Sequence, residues 1–246
     1  ALELGPGSNE GIPKRLESVQ GRNVLAGAVG AGATAPTAIV IDTGRAGGTS
    51  SPEVVAAVTR LSKGRAVDPQ VARVDFQAGN AQHVDRMDRY LNVQVIGESD
   101  YGKPESLAFV DRLRGDIVPA ADFPAGVTVV AGGGPPGGRD FLDLTYSWFP
   151  WLVLAVLLAT YVLLVRAFRS LLLPLKAIIL NCLSIGAAYG LMVVVFKWGW
   201  GEPLGLIAYD QIEGWIPVML FAMLFGLSMD YEVFLVSRMR EEWDAG

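Results

Sequence analysis

An aspartate followed directly by a tyrosine, Asp230-Tyr231, stands inside an apolar run that begins at Trp215 and ends near Val236. Arg238 and Arg240 come next, so Asp230 lies eight residues, or about 12 Å of helix, from the first basic anchor. An aspartate side chain is too short to bring its charge back to a headgroup layer from there. At mid-membrane an ionised aspartate costs roughly 2.5–3.5 kcal/mol on insertion scales, so such a group faces protein or a hydrated cavity. Gly226, one turn earlier on the same helical face, leaves room for a neighbouring helix or water. Two readings of Asp230 stand at this point. It is a neutral hydrogen-bonding group between helices, or it binds and releases a proton, because withdrawal from water favours the protonated acid. Tyr231 is either part of that relay or a packed aromatic. Glu232 points to another face, and a salt bridge to a cytoplasmic arginine is its expected role.

Other chemistry finds less support. The one histidine, His83, sits in a polar stretch without a companion Cys or His, and is expected to be a solvated loop residue rather than a metal ligand. The one cysteine, Cys182, lies in an apolar run, so no intrachain disulfide forms. Gly132-Gly133-Gly134-Pro135-Pro136-Gly137-Gly138 lacks the Gly-Lys-Ser/Thr ending of a phosphate loop, and is expected to be a linker. There is no Ser/His/Asp set, metal cluster or convincing carboxylate pair, so no enzyme, cofactor or metal is expected. A net charge of −5 without a basic stripe argues against nucleic acid.

The elements that must position Asp230 are unevenly distributed. Mean hydropathy is +0.36, but residues 1–145 carry dispersed charge while residues 146–246 are dominated by apolar runs. Transmembrane helices are expected at about 148–166, 174–196 and 215–237, each long enough to cross a hydrocarbon core of roughly 30 Å. Trp148, Trp151, Trp198, Trp200 and Trp215 gather at one set of ends, as in an aromatic belt. Asn181 and Ser184 lie on one small, weakly polar face of the second span, expected to pack near the Asp230 helix. Gly186 and Gly190 form a Gly-x-x-x-Gly on roughly the opposite face. Arg166, Arg169 and Lys176 join the first two spans, whereas the loop 197–214 holds Lys197 against Glu202, Asp210 and Glu213. The basic ends face the cytoplasm, which places residues 1–145 outside. No signal-like segment precedes those polar residues, so a fragment of a longer protein with at least one further span upstream is expected.

Within residues 1–145, Thr37–Asp42 reads as a strand and Ser51-Pro52-Glu53 as a helix start with Val54, Ala57, Val58 and Leu61 on one face. Residues 71–77 alternate with Ala72, Val74 and Phe76 inward, and Leu91, Val93 and Val95 alternate with polar partners. A second helix opens at Pro104 with Leu107, Val110 and Leu113 inward, and Val127–Ala131 is the last strand. The order β-α-β-β-α-β predicts a ferredoxin-like α+β domain ahead of an all-α membrane part. Its weak link is the stretch 78–90, too long for a tight hairpin. A helix near Pro13–Leu25 and an irregular Gly/Ala passage at 26–34 precede it.

The run from Phe225-Gly226-Leu227-Ser228-Met229-Asp230-Tyr231-Glu232-Val233-Phe234 to Arg238-Met239-Arg240 resembles the signature of MMPL transporters, of the resistance–nodulation–division superfamily. Phe168-Arg169-Ser170-Leu171, Pro174-Leu175-Lys176 and Leu183–Gly190 resemble the same family. The external domain matches in plan rather than in motif. The resemblance implies a porter domain and three spans of one half of a two-half transporter, the wording around Asp230 being closer to the C-terminal half. It also implies that Asp230 and Tyr231 form a proton relay, and that lipids or other hydrophobic molecules are exported across the cell (plasma or inner) membrane. The implied partners are substrate, protons, the membrane and the missing half of the polypeptide, with a homo-oligomer allowed. A lipid-sensing or assembly protein that does not transport is the alternative. A receptor for soluble ligands with a membrane anchor fits three spans and an intramembrane Asp230 poorly.

Overall fold

The computed structural model describes residues 4–7, 12–63, 68–77, 80, 83–206, 208 and 211–245. The chain divides into two compact units, Gly5–Leu142 and the residues from Asp143 onward.

In the first unit α1 (Glu17–Val29) and a 3₁₀ turn (Ala31–Thr34) lead into β1 (Thr37–Asp42). Then come α2 (Pro52–Leu61), β2 (Val71–Asp75), β3 (Tyr90–Gly97), α3 (Pro104–Arg112) and β4 (Thr128–Gly133). A π-helical turn at Leu113–Ile117 extends α3. The sheet runs β2-β3-β1-β4 with every neighbouring pair antiparallel. Ile39 pairs with Val93 and Ile41 with Leu91, and all four side chains are buried. They share one core with Val54, Val58 and Leu61 of α2 and Phe109 and Leu113 of the α3 segment. Each such side chain contributes about 1.5–3 kcal/mol of burial. The predicted stripes of both helices are buried, but of Leu107, Val110 and Leu113 only Leu113 is in this core, where Phe109, outside the predicted stripe, joins it. Ser51 caps α2, its hydroxyl accepting the Val54 N–H at 3.4 Å, with Pro52 in the first turn where an N–H has no helical acceptor.

The strand β2 departs from simple alternation. Its pairing with β3 is interrupted between Val71 and Arg73, and that irregularity turns Val71 inward in place of Ala72, while Val74 and Phe76 still pack on the core. Residues 26–34 are not irregular: α1 continues to Val29 and a 3₁₀ turn follows. Small residues are needed there because a Cβ on Gly32 would lie 2.7 Å from the Gly97 nitrogen. His83 is a second correction. It is 8% exposed, its Nδ1 is 3.2 Å from the Asn92 carbonyl, and its ring rests on Phe76. The bridge between Val84 and Leu91 folds this stretch back on β3 and carries His83 inward. Residues 78, 79, 81 and 82 of the expected long connection lie outside the described residues.

Asp42–Arg89 and Asp68–Arg112 are among the ion pairs that tie distant segments of this unit. Arg89 donates from Nε and Nη2 to the two oxygens of Asp42, each at 2.8 Å, and with the Gly44 N–H holds that carboxyl at about 2. Burial alone would raise Asp68. The Arg112 guanidinium at 2.7 and 3.1 Å and the Gln70 N–H outweigh it and keep the carboxyl below its ordinary range. Both groups are more acidic folded than unfolded, so their contribution is complete above the unfolded value of about 3.9 and is lost as pH falls through the folded values. Protection of the β1 and β3 amides, read by pulsed hydrogen exchange, should hold from neutrality to about pH 4 and then fall. Asp68→Asn should flatten that fall, and an unaltered acid profile would contradict the assignment.

The helix α4 (Gly134–Phe168) starts in the first unit, and the second holds its part from Asp143 onward with α5 (Leu172–Met192, continued by a π turn at Val193–Lys197) and α6 (Trp215–Ala245). All three are long and apolar enough to cross a membrane. The five tryptophans of the expected belt are exposed. Asp210, and the side chains of Glu232 and Arg240 with the expected Glu232 salt bridge, lie outside what is described.

The Gly/Pro run is the largest correction. It is no linker, because β4 ends at Gly133 and α4 starts at Gly134. Pro135 and Pro136 occupy the first turn, where a missing N–H is tolerated. Gly138 permits close approach of Pro6: an added Cβ would lie 2.6 Å from the proline Cβ. Arg114 pairs with Asp140 at 2.5 and 3.0 Å, and Arg139 with Asp111 at 3.0 Å, fastening these turns to the α3 segment.

Candidate functional site

Apolar side chains fix the rotation of α6. Phe221, Phe225 and Met229 recur every four residues, are buried, and cluster with Leu164 of α4 and Ile178 and Ile185 of α5. Phe221 and Phe225 stack with centroids 5.3 Å apart, and Phe149 meets Phe221 edge-on at 5.8 Å. The Tyr189 hydroxyl donates to the Pro217 carbonyl and ties α5 to the first turn of α6. Adjacent helical residues point about 100° apart, so with Met229 in the seam Asp230 must turn away from it.

The cover expected around Asp230 is therefore not supplied by α4 or α5. Asp230 is exposed, and among the described residues it has neither hydrogen-bond nor ion-pair partner. Tyr231 is 75% exposed. Gly226 is exposed one turn earlier, and an added Cβ would meet nothing within 4 Å. These three lie on an outer side of α6, flanked by exposed Leu227 and Phe234. The seam falls on the phenylalanine and methionine side because burying those rings and the thioether releases more apolar surface than the glycine and aspartate positions offer.

The α5 residues separate. Asn181 is only 4% exposed, on the buried face with Ala177, Ile178 and Ile185, and among the described residues neither its Oδ1 nor its Nδ2 has a hydrogen-bond partner. Ser184 is exposed, as are Cys182, Gly186 and Gly190. Both glycines face open space, so the expected tight packing at the Gly-x-x-x-Gly does not involve α4 or α6. No hydrogen bond links Asn181 or Ser184 to Asp230 among the described residues. Asp230, Tyr231 and Gly226 thus come together, while Asn181 sits in the seam and Ser184 outside it.

A second feature has no counterpart in the sequence reading. The first unit contains a cavity of about 620 Å³, with Val58, Phe76, Val84 and Leu91 as apolar lining and Thr49 and Asp88 among its polar groups. Its walls come from separate segments, so no local spacing announces it. Among the described residues no cluster of three His, Cys, Asp or Glu could hold a metal.

Comparison with known proteins bears on the same helices. The MMPL family profile matches residues 11–246. The mycolic acid-containing lipids exporter MmpL11 of Mycolicibacterium smegmatis is 33% identical over 227 residues, covering 91% of this chain and 23% of that protein. The heme uptake protein MmpL11 of Mycobacterium tuberculosis is 31% identical over 227 residues, 91% of this chain and 22% of that protein. The trehalose monomycolate exporter MmpL3 of Mycolicibacterium smegmatis is 33% identical over 157 residues, 63% of this chain and 15% of that protein. The chain spans less than a quarter of the length of these relatives. With the match running from residue 11 to the end and including the Asp230 helix, the chain belongs to the MMPL family.

Proposed function

We propose that this chain is part of a proton-driven exporter of lipids or other hydrophobic molecules, with Asp230 and Tyr231 as its proton relay. The observation that carries this reading is the position of Asp230: a carboxylate on an outer face of a membrane-length apolar helix, with no partner among the described residues. A carboxylate at that depth requires protein or water against it. Helices from the other half of a longer polypeptide would supply that cover, with Gly226 leaving space for their approach. In that arrangement the carboxylate would take up a proton from one side of the membrane and pass it to the other as the two halves open and close. Two of the three relatives above are named as lipid exporters, which supports the substrate class.

The membrane arrangement follows from the charges. Arg166, Arg169 and Lys176, with the tail after α6, would face the cytoplasm, and residues 1–145 would form the extracytoplasmic porter domain. The strand order β2-β3-β1-β4, with one helix after β1 and one after β3, supports a ferredoxin-like arrangement for it. A second reading, a lipid-sensing or assembly protein that does not transport, draws on the cavity of about 620 Å³ in the first unit.

The test is export of a fluorescent lipid by the intact protein in proteoliposomes carrying an imposed pH gradient. Export should stop when a protonophore collapses the gradient. Lipid binding without gradient-dependent movement would favour the sensing reading and sink the exporter.

A further inference from the structure

The α5–α6 seam contains two polar side chains that are treated differently. Tyr189 is satisfied by the Pro217 carbonyl. Asn181, eight residues away and so about 12 Å along α5, is not satisfied by any atom of the described residues. A primary amide offers two donors and an acceptor with two lone pairs, and buried polar groups almost always use such capacity on protein or on ordered water. The three-helix unit already encloses Asn181, leaving it 4% exposed, so helices added around this unit cannot reach its amide. Its companions on the buried face of α5 are Pro174, Ala177, Ile178 and Ile185, whose side chains form no hydrogen bonds. Ile178 and Ile185 on that face cluster with Leu164 of α4 and with Phe225 and Met229 of α6, and none of these could serve the amide. The occupant must be small, able to donate and accept, and able to enter an enclosed site; water meets all three conditions.

We propose that Asn181 is an internal water-binding site in the α5–α6 seam and a positioning residue for proton movement toward the Asp230 helix. The second half rests on the relay reading above; the first half stands on burial and unpaired atoms alone. Met229 belongs to the same buried cluster as Ile178 and Ile185 and is the residue before Asp230, so water at Asn181 lies in the seam on the inner side of the helix that carries the carboxylate.

X-ray radiolytic footprinting of the intact protein in nanodiscs tests the water directly, because radicals generated from bound water label buried neighbours within contact distance. Phe225 and Met229 should be labelled in the wild type despite their burial. Asn181→Leu, close in volume and without polar atoms, should lose that labelling, and its melting temperature should not fall. Gradient-driven export should drop roughly tenfold, the size of one hydrogen bond to a charged species. Asn181→Ser, which keeps a donor and an acceptor, should recover most of it. Absence of wild-type labelling overturns the water site, and undiminished export by Asn181→Leu overturns its part in proton movement. Should Asp230→Asn itself export normally, the relay reading fails, while the labelling result still decides the water site.

Discussion

Asp230→Asn in the intact protein is expected to cut gradient-driven export by at least about 100-fold, the scale lost when a positioned acid–base group is removed. Abundance and helix content should be unaltered. Asparagine keeps the shape of the side chain and its capacity to hydrogen-bond, and removes only the ability to take and give a proton. The packing of α6 is carried by Phe221, Phe225 and Met229 on another side of the helix, so the substitution leaves the seam untouched. Asp230 makes no ion pair with the described residues, so no partner is orphaned within this unit. Asp230→Glu, which still titrates, should retain part of the rate. Initial export rates under an imposed pH gradient decide the matter, and a wild-type rate for Asp230→Asn rejects the relay.

The second large effect concerns Gly133, at the junction of β4 and α4. Its φ is +92°, a conformation that L side chains rarely adopt, and an added Cβ would collide with the Pro36 carbonyl oxygen. The same carbonyl accepts the N–H of Gly134 at 3.3 Å, so it is not free to retreat. Gly133→Val should therefore destabilise the first unit by about 2–5 kcal/mol, the sum of backbone strain and forced overlap. That is a large share of a typical stability of about 5–15 kcal/mol. Gly137 provides the control, because a Cβ there meets nothing within 4 Å. Gly137→Ala should stabilise slightly, by roughly 0.5–1 kcal/mol, since glycine is the poorer helix former. Denaturant melting of the two variants should diverge in opposite directions; equal midpoints would refute the tight junction.

The sheet and its two helices are legible in sequence because their burial is periodic. Leu91, Val93 and Val95 alternate with polar residues, and Val54, Ala57, Val58 and Leu61 repeat at helical spacing, so one dimension of pattern suffices. The Gly/Pro run illustrates the opposite case. Glycine and proline at Gly132–Gly138 have the composition of a loop, and only the fit of Gly133 on Pro36 and of Gly138 on Pro6 turns them into a helix start. Val71 is displaced inward by a pairing irregularity that no alternation could reveal. His83 looks solvated in a polar neighbourhood, yet the Val84–Leu91 bridge folds it onto Phe76.

For the candidate site, identity was legible and orientation was not. Asp230, Tyr231 and Gly226 are conspicuous in an apolar run, and helical spacing places them on neighbouring faces. Which face meets α4 and α5 depends on competition between sides of a helix that is apolar nearly all round. The stacked rings of Phe221 and Phe225 decide that competition. The same uncertainty hides Asn181, since nothing in its spacing distinguishes a seam position from Ser184 on an exposed face.

The unbroken start of α4 also bears on how this chain tolerates changes of length. A loop absorbs an inserted or deleted residue by rearranging, and neighbouring elements keep their places. A helix passes the change on: one residue added among Gly134–Gly138 advances everything after it by about 1.5 Å and rotates it by about 100°. Arg139 and Asp140, just past the insertion, would be turned away from Asp111 and Arg114, their partners in the α3 segment. The number of residues between Gly133 and Asp140 is therefore a structural parameter in its own right, and in this segment substitutions should be easier to accommodate than insertions or deletions.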